Sequence, residues 1–148
     1  GRTSCCDSFS QNKREVIMKK RGILNAQLSY LIAALGHKDL FMIGDAGMPI
    51  PEDVEVVDLV LTAGVPSFKQ VMDAVLEETC VEGYYLAHEI KEFNPDLEDY
   101  IKDSLKDAEV EYMPHEDLKK FSSKCRFAIR TGEFSPYPNV ILRAGVVF

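Results

Sequence analysis

The sequence predicts an α/β fold, a three-layer α/β/α sandwich whose central sheet is mostly parallel, or mixed through an antiparallel edge strand. Short apolar, β-branched runs alternate with segments of helical periodicity along most of the chain, and capping and turn residues mark the seams between them. The length of 148 residues suits one domain that buries an ordinary core without disulfide staples.

The first helix is expected from Asn25 to Leu35. Leu28, Leu31, Ile32 and Leu35 fall at i, i+3, i+4 and i+7, Asn25 is placed to cap the start, and Gly36 to end it. Leu40–Ile43 is a strand-length apolar run that stops at the glycine- and proline-rich segment Gly44–Pro51. His37 stands before this strand and Asp45 just beyond its carboxyl end, where open α/β sheets bind ligands. Val54–Leu61 is a second strand, Thr62–Pro66 a turn, and Ser67 the cap of a helix whose inner face is Phe68, Val71, Met72, Val75 and Leu76.

Val81–Ala87 reads as a short buried strand. Asn94 and Pro95 then supply a cap and a first-turn proline for a helix that turns Leu97, Tyr100, Ile101 and Leu105 inward. Val110 and Tyr112 mark another strand, His115–Ser122 a brief helical segment, Phe127–Ile129 a strand, and Val140–Phe148 a last strand reaching the terminus. The close spacing of the final two strands suggests the antiparallel edge. Between them the loop Arg130–Asn139 is dense in polar and turn residues, a second place for chemistry. Residues 1–17 show neither period, and Met18-Lys19-Lys20 reads as a natural start. The expectation is therefore a vector-derived or otherwise non-native leader at 1–17 and a single domain at 18–148.

Bulk properties narrow the function. The formal charge of −7, with Lys and Arg scattered, argues against a nucleic-acid groove and favours a neutral, polar ligand. No apolar run approaches the roughly 20 residues that cross a bilayer, and no secretory signal opens the chain, so a cytoplasmic protein without membrane contact is expected. Cys5 and Cys6 are adjacent while Cys80 and Cys125 stand alone, which is no disulfide framework, and neither isolated cysteine has the setting of a nucleophile. No His- or Cys-rich cluster suggests a metal, and Gly44-Asp45-Ala46-Gly47 lacks the pattern of a nucleotide loop.

Of the three histidines, His37 serves either as a proton shuttle or as a helix C-cap. His115 follows Pro114 at a helix start and reads equally as a surface residue, and His88 lies in a charged stretch. The Asp45 carboxylate suits sugar hydroxyls, as do the Asn139 amide and the Tyr137 phenol. A loop cap and an apolar plug are the alternatives for Asn139 and Tyr137.

Several words of sequence stand in a familiar order: Met18-Lys19-Lys20-Arg21-Gly22-Ile23-Leu24-Asn25, Leu35-Gly36-His37, Asp45-Ala46-Gly47-Met48-Pro49-Ile50-Pro51, Gly64-Val65-Pro66-Ser67-Phe68, Glu89-Ile90-Lys91, His115-Glu116, Ile129 through Asn139, and Ala144-Gly145-Val146. Through them the chain resembles, from Met18 to Phe148, the ribose pyranase family, RbsD. The resemblance implies an RbsD-like domain that interconverts the β-pyranose and β-furanose forms of D-ribose, without a cofactor. It puts the catalytic role on His37 and sugar contacts on Asp45, His115 and the segment Tyr137, Pro138, Asn139, whose middle position varies. Asp45 would orient His37 or hold a sugar hydroxyl, and Lys119 is a weaker candidate. It also implies homo-oligomeric rings, pentamers paired into decamers, with sites where subunits meet. A sister group acting on L-fucose carries His-Phe-Pro where this chain has Gly47-Met48-Pro49, which favours ribose. The alternatives are an L-fucose-type mutarotase, a non-catalytic ribose-binding module associated with uptake, or an assembly scaffold.

Overall fold

A computed structural model describes residues 19–148; the leader expected at 1–17, together with residue 18, lies outside the described residues. In chain order the elements are α1 (Ala26–Ala33), β1 (Leu40–Gly44), β2 (Glu55–Asp58), α2 (Phe68–Leu76), β3 (Val81–Ala87), α3 (Ile90–Phe93), α4 (Pro95–Ser104), β4 (Glu109–Met113), α5 (His115–Phe121), β5 (Phe127–Arg130) and β6 (Val140–Ala144), with a 3-10 turn at Ser122–Lys124.

The six strands form one sheet in the order β2-β5-β1-β6-β3-β4. β1 runs parallel to β5, β5 to β2, and β3 to β4, whereas β6 is antiparallel to both β1 and β3. Five strands therefore point one way and β6 runs against them. The expected antiparallel edge is corrected to an antiparallel centre. β5 and β6 are not neighbours, because the long loop 130–139 steps across the end of β1 and returns β6 on its far side.

Alternation along the strands sorts the core into two layers. Phe41, Ile43, Phe127, Ile129, Val140 and Leu142 face one side, where they pack against Leu28 of α1, Phe68 and Val71 of α2, Ile90 of α3, and Leu97 and Ile101 of α4. Met42, Ala128 and Ile141 face the other side and meet Leu118 of α5, Met48 and Cys125. The result is the three-layer sandwich, with most of its helices on one face. At its centre Phe41 and Phe127, cross-strand partners, stack with ring centroids 5.2 Å apart.

Local signals placed most boundaries. Asn25 Oδ1 accepts the N–H of Leu28 at 2.8 Å to cap α1, and Ser67 forms a reciprocal capping box with Gln70 at the head of α2. α1 ends at Ala33, short of Gly36. Asn94 occupies the N-cap position of α4 but does not cap it; its amide instead donates to Ser135 Oγ and the Pro136 carbonyl. β2 is shorter than Val54–Leu61 because it is an edge strand matched to the four residues of β5. β6 stops at Ala144 rather than Phe148, beyond the start of β1, and Val147 and Phe148 are 89% and 100% exposed. Short α3 lies where a charged stretch hid it from periodicity.

Candidate active site

Because five strands point the same way, their carboxyl ends converge on one edge of the sheet, and the start of β6 joins them there. At that edge lies a cavity of about 430 Å³ lined by Asp45, Met48, His115, Arg130, Glu133 and Ser135, among others. This is the size class of small-molecule sites.

The β1 side of the cavity is a stiff loop. The Asp45 N–H donates to Asn139 Oδ1 at 3.0 Å, and its own Oδ1 accepts the Gly47 N–H at 2.9 Å, closing an Asx turn. Arg130, at the end of β5, donates Nε–H to the Ala46 carbonyl at 2.9 Å while its Nη1 pairs with Asp58 of β2. The floor is tied to the sheet by Thr131. Its buried Oγ1 donates to the Gly44 carbonyl at 2.8 Å and accepts the Glu133 N–H at 3.2 Å. The Glu133 carboxylate then accepts the Phe68 N–H at the start of α2 at 3.0 Å. Burial raises the Glu133 pKa, but hydrogen bonds from Phe68 and Ser135 outweigh it and hold this carboxyl below its usual range. The cavity wall thus carries a fixed negative charge suited to hydroxyl groups.

Another part of the lining comes from the start of α5. His115 is the first residue of α5, and its backbone N–H donates to Glu89 Oε1 at 3.0 Å. Its Nδ1 is buried without a hydrogen-bond partner among the described residues. Such an atom carries a desolvation cost. Tyr137 presents its ring edge-on to His115 at 5.0 Å and also packs on Phe93. Tyr137 has φ +51°, a left-handed backbone that a non-glycine residue adopts at some cost and that clusters at ligand sites.

His37 is elsewhere. It sits at the amino end of β1, so the strand separates it from Asp45 by roughly 16 Å at the usual rise per residue. Within one chain, then, Asp45 does not reach His37 to orient it, while its other expected role, holding a sugar hydroxyl, is compatible with its place in the cavity. The helix-cap alternative also fails, since α1 ends before His37 is reached. The imidazole Nε2 instead meets Glu82 Oε1 at 2.8 Å, and Glu82 Oε2 accepts Arg143 Nε–H at 2.8 Å.

One chain therefore brings together Asp45 and His115, with Tyr137, Pro138 and Asn139 behind them as supports. Tyr137 braces His115, Pro138 is buried, and Asn139, 1% exposed, fixes the Asp45 backbone. Lys119 pairs with Glu116 at 2.8 Å, and His88 stacks on Tyr112; neither lines the cavity. The sequence reading gave no role to Arg130, Glu133 or Glu82, although the polar density of the loop 130–139 pointed to the first two. Cys125 is buried, which pushes its thiol up to about 12, no setting for a nucleophile. Among the described residues no three His, Cys, Asp or Glu side chains gather to hold a metal, and no helix is long and apolar enough to cross a membrane.

Comparison with known proteins bears on this geometry. The model of the RbsD / FucU transport protein family matches residues 18–147. The chain is 50% identical over 139 residues to the D-ribose pyranase of Histophilus somni, and 47% identical over 131 residues to that of Limosilactobacillus fermentum; each match covers 88% of this chain and 100% of the relative. Bacillus subtilis RbsD complexed with D-ribose superposes with a TM-score of 0.85 at 43% identity, covering 88% of this chain and 100% of that one. The family match over residues 18–147, with relatives this similar along their whole length, makes this chain a member of the RbsD / FucU family.

Proposed function

We propose that the chain is a sugar isomerase that interconverts β-D-ribopyranose and β-D-ribofuranose. The observation that carries this is the cavity at the carboxyl edge of the sheet, where the anchored Asp45 carboxylate and the His115 imidazole line one small polar space, in a chain whose relatives over their full length are D-ribose pyranases. The reaction breaks the bond between C1 and the ring oxygen and forms one between C1 and the C4 hydroxyl oxygen. A base removes the anomeric hydroxyl proton, an acid protonates the departing ring oxygen, and the open aldehyde closes again by the reverse proton transfers. No electrons are gained or lost, so the chemistry needs a proton shuttle and a posed sugar rather than a cofactor.

His37 is that shuttle in this reading, and Asp45, His115 and the segment Tyr137–Asn139 set the pose. Because His37 and the cavity lie at opposite edges of the sheet, the complete site is shared: the amino edge of one copy docks on the carboxyl edge of the next. Such a head-to-tail contact closes into rings, in keeping with pentamers paired into decamers. Exposed apolar residues support the contact, Val147 and Phe148 beyond the end of β6 and Phe134, 72% exposed, at the cavity rim.

The test is ribose ring-form exchange measured by saturation-transfer NMR. His37→Ala is expected to abolish the acceleration while ribose still binds; wild-type exchange in a folded His37→Ala protein would refute the role. L-fucose exchange is expected to be far slower than ribose exchange. A second reading has an observation of its own. His115 shares the cavity with Asp45 in the same chain, and if it moves the protons then His115→Ala, not His37→Ala, stops exchange.

A further inference from the structure

We propose that Glu82 is the positioning residue of His37, holding its imidazole in the Nε2–H tautomer so that Nδ1 is the atom that exchanges protons with the sugar; the inference rests on the shuttle role given to His37 above. An ionised carboxylate can only accept, so at 2.8 Å from Glu82 Oε1 the proton belongs to Nε2. Nδ1 is left with its lone pair, ready to take the anomeric proton and return it to the ring oxygen. The adjacent negative charge steadies the imidazolium formed in between, as the buried aspartate does in a serine-protease triad.

Three further features hold this carboxylate in place. Its second oxygen accepts Arg143 Nε–H at 2.8 Å, and Arg143 Nη1 donates to the Tyr85 hydroxyl at 2.7 Å, so both carboxylate oxygens are fixed. Glu82 is also the extra residue of a β-bulge: Val81 pairs with Ala144 and Gly83 with Arg143, two residues against one. The bulge reverses the alternation of β3. Tyr84 and Leu86 face the helix-rich layer and Tyr85 and Ala87 the other, yet Val81 packs with Tyr84 and Leu86. Bulges of this kind re-aim a side chain, here toward His37 at the sheet edge. Lastly, a Cβ on Gly83 would stand 2.4 Å from Arg143 Nη2, so the guanidinium lies in space that only glycine leaves open. The carboxylate is also held below its usual pKa range, chiefly by the His37 hydrogen bond and also by Arg143, against a burial effect.

The experiment is carried out on the full chain. Long-range proton–nitrogen NMR of the histidine rings, assigned with single variants, is expected to show His37 as the Nε2–H tautomer in wild type and as a mixture in Glu82→Ala. Ribose exchange in Glu82→Ala is expected to lose tenfold or more in kcat with little change in KM, since Glu82 does not touch the sugar. Gly83→Ala, which displaces Arg143 but leaves Glu82 and His37 intact, should give a smaller loss of the same kind. A Nδ1–H tautomer in wild type overturns the proposal, as does a Glu82→Ala protein with unchanged tautomer and kcat while His37→Ala is inactive. Full activity in His37→Ala would instead overturn the shuttle role itself.

Discussion

Replacing Thr131 by valine removes one hydroxyl from beneath the cavity while keeping the shape of the side chain. Thr131 is fully buried, and its Oγ1 joins the Gly44 carbonyl to the Glu133 N–H. The Gly44 carbonyl keeps a partner, the Thr131 N–H at 3.0 Å. The Glu133 N–H does not, and a stranded part-buried donor together with one lost hydrogen bond costs about 2 kcal/mol. For a domain of this size that corresponds to a fall in Tm of about 8 °C. The same change frees the chain at Glu133, whose carbonyl accepts the Ala46 N–H at 3.1 Å, so ribose affinity should drop along with stability. Differential scanning calorimetry and ribose titration measure the two effects. An unchanged Tm with unchanged affinity would refute the claim that hydrogen bonds to the sheet hold the cavity in shape.

Three shorter predictions follow from other contacts. A Cβ on Gly132 would approach the Val65 backbone N to 2.6 Å and its carbonyl to 2.8 Å, so Gly132→Ala must push the loop 130–139 away from the Thr62–Pro66 turn, and weakened ribose binding in a folded protein is expected by calorimetric titration. Glu82 has a lowered pKa in the folded chain, so its pairing stabilises the fold above the ordinary glutamate pKa and that contribution disappears as pH falls through the lower folded value; carbon NMR of the Glu82 carboxyl should show it still ionised at pH 5 and titrating below a reference glutamate. Cys125, with its thiol raised to about 12, should stay unmodified by iodoacetamide at pH 8 until the protein unfolds, as peptide mapping would show.

What the sequence made legible was whatever short-range chemistry decides. Asn25 and Ser67 announced two helix starts, the apolar run after His37 announced β1, and Gly44–Pro51 announced a loop at a strand's carboxyl end, where Asp45 does line the cavity. What stayed hidden depends on contacts between distant segments. The antiparallel β6 at the sheet centre follows from a loop crossing β1, and no local pattern in Val140–Ala144 states which neighbours it will find. Asn94 looked like a cap because caps are local, but its amide found the loop at Ser135 and Pro136 instead. Glu82 went unnoticed because its partners, His37 and Arg143, are brought to it only by the sheet order and the bulge in β3. His37 and Asp45 bracket β1 in the sequence, but within one chain they stay apart for a simple reason: an extended strand puts neighbours in sequence far apart in space.

A site shared between copies can be tested by complementation. His37→Ala and Asp45→Ala proteins, each inactive alone, are unfolded, mixed one to one and refolded together, and ribose ring exchange is measured. Random assembly gives an intact His37 edge against an intact Asp45 edge at one contact in four, so roughly one quarter of the wild-type rate should return. A mixture as inactive as its components, although co-assembled, would mean that both residues must come from the same chain, and the shared site would be contradicted.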